Sequence, residues 1–194
     1  MLNLKVISGG QTGADIAGLW AAKIFGLPTG GLAPKDWKTQ VGSKPELGHL
    51  FGLEEYTAGY KGRTKKNCES SNLTMIFASN INSPGTKLTL HHCVTKGVHY
   101  QVYSYGNQDV TGWVDPIVTR ITTAFKNAGL LLPNNHELVV NVAGNSTSSS
   151  PLAFTFTFYA LCGAFEKMLG FTPQILKDHG IRELETMLRD RYDL

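Results

Sequence analysis

The stretch "VISGGQTGADIAGLW", residues 6–20, decides the fold. It opens on the end of a short apolar segment, "LKVIS" (4–8), that reads as a buried strand. Five residues, Gly9-Gly10-Gln11-Thr12-Gly13, then turn the chain, and Ile16, Leu19, Trp20 and Ile24 fall on one helical stripe over 14–25, with Gly26 placed to stop it. A strand, a glycine-rich turn and a helix form the first unit of a parallel α/β sheet. Glycines in such a turn let backbone N–H groups approach a ligand, and the helix start adds unpaired N–H groups and a positive dipole end. Together they predict a phosphate or other anion site. Asp15 stands in the first helical turn, where it either complements the dipole or meets a ligand hydroxyl.

Working outward, the same alternation recurs. Strands are predicted at 73–79 ("LTMIFAS"), 98–104 and 137–143, and helices over roughly 86–96, 113–128 and 174–191. The segment "ELVVNVA" (137–143) is apolar on both faces, as a central parallel strand must be. Residues 34–66 are polar and glycine-spotted and read as a long loop with one short element; "LAFTFTFYALCGAF" (152–165) alternates at its start but is long enough for a helix. The fold expected is a Rossmann-like, doubly wound, mostly parallel sheet flanked by helices, with residues 1–194 as one domain.

Composition narrows the function. Hydrophobic residues make up 42% of the 194 and charged residues 17%, and the net charge is +3 with a pI near 8.7. That suits a core-forming chain with a small anionic ligand better than a nucleic-acid surface. Cys68, Cys93 and Cys162 lack metal or disulfide-framework spacing and read as reduced thiols. No apolar run reaches the ~20 residues of a membrane span, and the N-terminus lacks a signal-peptide pattern. A cytoplasmic protein is expected.

Two further loops follow strands and open onto helices. In "NINSPGTKLT" (80–89), Ser83, Gly85 and Thr86 suit phosphate oxygens and Lys87 could add charge; in "GNSTSSS" (144–150), Gly144, Asn145 and Ser146 begin a hydroxyl-rich run. Loops at the carboxyl ends of parallel strands converge on one crevice where strand order reverses. In "GYKGRTKKNCESS" (59–71), Arg63 and Thr64 form either an anion clamp or, with the lysines, a solvated face. His91-His92-Cys93 points in different directions on a helix and no second ligand cluster accompanies it, so no metal site is expected. The glycine loop lacks the Walker Gly-Lys-Ser/Thr ending, and there is no G-x-S-x-G elbow.

The ordered set "SGGQTGAD", "GGLAPK", "YKGRTKKNCESSNLTMIFAS", "SPGTKLT" and "NVAG" resembles the molybdenum-cofactor carrier family, a circularly permuted branch of the SLOG superfamily of Rossmann-like proteins. The resemblance spans residues 4–145 and implies a phosphate-bearing, nucleotide-like ligand. Its relatives include cofactor carriers, nucleotide phosphoribohydrolases and domains that sense NAD-derived signals. Carried over by motif, the ligand-binding residues are Gly9, Gly10, Gln11, Thr12, Gly13, Asp15, Arg63, Thr64, Asn67, Gly85 and Thr86. The chain departs from the family at Ile16, where a basic residue is common, at the 145–150 loop, and at Lys87-Leu88-Thr89, where phosphoribohydrolases place a glutamate. A missing carboxylate removes the obvious general acid/base unless Asp15 or Glu69 replaces it.

The reading is a binding protein without turnover, holding an ADP-ribose or other NAD-derived ligand, a cyclic nucleotide signal, or the molybdenum cofactor, as carrier, sensor or sequestering protein. The alternative is an enzyme cleaving a nucleotide N-glycosidic bond. No catalytic residue and no resident cofactor is assigned. The aromatic richness of 152–165 predicts a homo-oligomer.

Overall fold

The computed structural model describes residues 3–106, 114–133 and 136–192. Six strands, β1 (Leu4–Ile7), β2 (Thr29–Pro34), β5 (Leu53–Tyr56), β6 (Leu73–Ala78), β7 (Tyr100–Ser104) and β8 (Leu138–Gly144), form one sheet in the order β5-β2-β1-β8-β6-β7. Every pairing in it is parallel. From β1 the chain steps outward through β2 to β5; it then crosses to β6 and steps outward again to β7. Strand β8 returns between β1 and β6, so the strand order reverses around it. This is the Rossmann-like α/β arrangement expected from the sequence.

Helices cover both faces, as the all-buried pattern of β6 and the near-continuous burial of β8 require. Neighbouring residues on a strand point to opposite faces. Val142 meets Gly18 of α1 (Ala14–Ile24), whereas Asn141 meets Cys68 of α3 (Gly59–Glu69). Helix α4 (Pro84–Lys96) packs beside α3; α5 (Val114–Leu130) and α6 (Ala153–Leu169) continue the α1 layer. Residue 113, the first of the predicted 113–128 helix, lies outside the described residues. The last helix, α7 (Gln174–Tyr192), breaks its helical geometry at Gly180 (φ 69°, ψ 159°).

Residues 152–165 are helical. Successive positions on a helix rotate by ~100°, so the Phe-Thr-Phe-Thr-Phe run sends Phe154 and Phe158 to one side and Phe156 to the other. Phe154 and Phe158 stack at 5.6 Å, while Phe156 meets Phe77 of β6 at 6.3 Å. The helix is apolar all round because it is enclosed by α1, α5 and the sheet. The aromatic surface that argued for a homo-oligomer is therefore used inside the chain.

The 34–66 loop is a correction. Beyond β2, the segment holds a 3₁₀ turn (Lys35–Trp37), a hairpin of β3 (Lys38–Thr39) and β4 (Gly42–Ser43), α2 (Glu46–Phe51), the edge strand β5 and most of α3. These elements are short or lie at the sheet edge, so they lack an apolar period. Helix α3 buries Arg63, Thr64, Asn67 and Cys68, which is a helical stripe made mostly of polar side chains. Such a stripe is invisible to a search for hydrophobic periodicity. No helix among the described residues is long and apolar enough to cross a membrane.

Candidate functional site

The carboxyl ends of β1, β8 and β6 adjoin one another, and the three glycine- and hydroxyl-rich loops leave from them. Between these loops, α3 and the start of α4 lies a cleft of about 360 Å³. Of the sequence-predicted residues, Gln11, Thr12, Asp15, Arg63, Thr64, Asn67, Ser83, Gly85, Gly144 and Ser146 line it. Gly9, Gly10, Gly13, Thr86 and Asn145 are outside its lining. Lys87 and the α3 lysines 61, 65 and 66 are exposed. Glu69 is exposed too and pairs with Lys65 at 3.8 Å, away from the cleft. Among the described residues Asp15 is the one carboxylate in the lining.

The glycines of the first loop serve the chain's own packing. A Cβ on Gly9 would sit 1.4 Å from Arg63 Nη1 and 2.1 Å from its Cζ, so Gly9 is the seat of the guanidinium. A Cβ on Gly13 (φ 87°) would meet the Asn145 carbonyl at 2.5 Å. Several amides in and just after the loop are also committed. Gln11 N–H donates to Asp15 Oδ2 (3.3 Å), Thr12 N–H to Gln11 Oε1 (3.1 Å) and Ala14 N–H to the Asn145 carbonyl (3.0 Å). Within the loop itself, the Gln11 and Thr12 amides are thus committed to internal acceptors.

Arg63 brings a buried positive charge to the cleft. It is 5% exposed and donates through Nη1 to Asp15 Oδ2 at 3.3 Å; Asp15 is 7% exposed. Burial raises the Asp15 carboxyl above its ordinary 3.8, and the guanidinium opposes that shift. Arg63 Nε is buried without an acceptor among the described residues. The Tyr60 ring covers the guanidinium, with Cζ 4.6 Å from the ring centroid. Asn67 pins α3 against β2 by pairing both ways with Leu32, at 2.9 and 3.1 Å.

Asn145 is the latch of the site. It is 1% exposed and accepts from Asn80 N–H (3.0 Å) through Oδ1. Its Nδ2 faces the Asn80 carbonyl and the Ser83 and Thr86 hydroxyls at 2.9–3.0 Å. One side chain thereby ties the loops after β8 and β6, while its carbonyl holds the start of α1. The N–H groups of Gly85 and Thr86 at the start of α4 have no acceptor among the described residues, and no side chain caps that helix. The α4 N-terminus therefore keeps its donors.

Sequence reading missed Gln40, Tyr60, Thr89, Asn141 and Ser149, which also line the cleft. Gln40, at the β3–β4 turn, reaches across the mouth: its N–H donates to Gln11 Oε1 (2.9 Å) and its Nε2 to Ser146 Oγ (3.0 Å). Gln40 and Tyr60 lay in the stretch read as a loop. The quoted "YKGRT" motif was the available signal for Tyr60. Beneath the floor, Asn141 Nδ2 donates to Thr74 Oγ1 (3.3 Å) beside the buried Cys68. Among the described residues no group of three His, Cys, Asp or Glu side chains gathers as a metal site.

A model of the circularly permutated YpsA SLOG family matches residues 6–162. The fold is similar to that of the putative molybdenum carrier protein from Syntrophus aciditrophicus SB, known from a crystal structure at 1.45 Å. The two are 28% identical with a TM-score of 0.70, over 84% of this chain and 94% of the other. No curated protein matches the sequence.

Proposed function

Because the chain belongs to the circularly permutated YpsA SLOG family, we propose that its cleft binds a phosphate-bearing, nucleotide-like small molecule and releases it unchanged. The observation that carries this reading is Arg63. A buried guanidinium with an unpartnered Nε lines a cleft that also contains the uncapped start of α4. Both features favour an anion. The hydroxyl oxygens across the cleft, on Thr12, Ser146 and Ser149, can accept from sugar hydroxyls. ADP-ribose or another NAD-derived compound, a cyclic nucleotide signal and the molybdenum cofactor all share this chemistry. A molybdenum-bearing cargo would be held here by its phosphate and organic part. On this reading the 194 residues act as one ligand-binding domain, as carrier, sensor or sequestering protein.

Cleavage of an N-glycosidic bond would need a free general acid or base. Asp15 is committed to Arg63 and to the Gln11 N–H, which supports binding without turnover. The test is to incubate the protein with a panel of AMP, NAD, ADP-ribose, cyclic nucleotides and molybdenum cofactor, desalt it, denature it and identify the released compound by mass spectrometry. One compound recovered intact from wild type and lost from Arg63→Met supports the proposal. Free base with ribose phosphate would refute it.

A further inference from the structure

The geometry points to Tyr60 as the platform on which a planar heterocycle of the ligand stacks, next to the phosphate held by Arg63; this inference rests on the anion-binding reading above. Tyr60 stands one helical turn before Thr64 on α3 and lines the cleft, yet it remains 42% exposed. One face of its ring covers the Arg63 guanidinium. Two glycines make room for this pair. Gly9 seats the guanidinium, and Gly85 at the start of α4 admits the phenol, whose Oη lies 2.6 Å from where a Gly85 Cβ would be. The ring thus spans from α3 to the α4 N-terminus, directly beside the donors proposed for phosphate.

An aromatic ring whose work was only to shield the Arg63–Asp15 pair would bury itself. Here Gly85 makes room for the phenol, and the residue stays 42% exposed on the wall of a cleft whose ~360 Å³ falls within the ~300–1,000 Å³ of small-molecule sites. A cation on one face withdraws electron density from the ring, which favours an electron-rich planar group on the other. Stacking of this kind accepts any base with a π-face. The ligand class is therefore a phosphate joined through a polar linker to a purine-like or similar bicyclic ring.

The experiment compares AMP, GMP and ribose 5-phosphate by isothermal titration calorimetry on the full chain. Wild type is expected to bind both nucleotides about tenfold or more tighter than ribose 5-phosphate. Tyr60→Phe keeps that gap. Tyr60→Leu, which still covers Arg63, closes it and leaves ribose 5-phosphate affinity unchanged; Gly85→Ala narrows it by displacing the ring. A gap that survives Tyr60→Leu, or equal affinity of all three ligands for wild type, overturns the stacking role and leaves the anion site standing. Failure of all three to bind overturns the stacking proposal, and the anion-binding reading falls with it if the mass-spectrometric panel is also recovered empty.

Discussion

Replacing Gly9 by alanine should separate Arg63 from Asp15 and thereby expose how the site is held. Gly9 does not adopt a positive φ, so alanine meets no backbone obstacle there. The new methyl would lie 1.4 Å from Arg63 Nη1 and 2.1 Å from Cζ, and the guanidinium must leave its seat. Arg63 can swing on its flexible stem, so the clash itself relaxes cheaply. The larger consequence falls on Asp15, which keeps only backbone N–H contacts from Gln11 and Gly9 in a position 7% exposed. Breaking a buried ion pair by removing one partner costs about 3–5 kcal/mol. Urea unfolding followed by tryptophan fluorescence measures the loss. The penalty should shrink as pH falls, because a neutral Asp15 no longer needs its partner. It should also shrink in the Asp15→Asn background, giving a double-mutant coupling of at least ~1 kcal/mol. Ligand affinity should fall with stability, since the same guanidinium is displaced. A Gly9→Ala protein within about 0.5 kcal/mol of wild type, or strict additivity with Asp15→Asn, would refute the reasoning.

Asp15 also sets a pH dependence. Burial outweighs Arg63 and holds its carboxyl above 3.8, so the folded protein binds this proton more tightly than the unfolded chain. Stability from this group falls as pH rises from 3.8 through the raised folded value, then levels; Asp15→Asn should flatten that slope in urea midpoints taken stepwise in pH, and an unchanged slope counts against it. Asn145→Ala strands the Asn80 N–H and frees the Ser83 and Thr86 hydroxyls, and should destabilise by roughly 2–4 kcal/mol in chemical denaturation, with loss of ligand binding; a neutral change would mean the loops hold without the latch. At Gly18, an added Cβ would stand 2.6 Å from Val142 Cγ1, so Gly18→Ala should lower stability by about 1–3 kcal/mol. The second substitution Val142→Ala should recover part of it; no recovery would place the strain elsewhere.

The layers of the fold were readable because their signals are local. β6 and β8 are apolar on both faces, the large apolar residues of α1 recur at helical spacing, and the glycine turn between β1 and α1 marks the switch from strand to helix. The cleft was foreseeable for the same reason: parallel strands send their following loops to one end of the sheet. Arg63, Thr64 and Asn67 were named through the motif resemblance, but composition and spacing did not show that they share a helix, nor that Tyr60 and Gln40 join them in the cleft. Arg63, Thr64 and Asn67 are buried polar residues, and burial of a polar group depends on partners that lie far away in sequence.

By itself, then, the sequence determined the alternation of strands and helices, the central place of β8, and the gathering of three hydroxyl-bearing loops, since each follows from composition and spacing over a few residues. Only the tertiary structure decided what the glycines are for. Gly9 serves Arg63, 54 positions further along the chain by the difference of their numbers, and Gly13 serves the carbonyl of Asn145. A glycine's sequence records that space is needed beside it; which atom fills that space is set by the packing of distant segments.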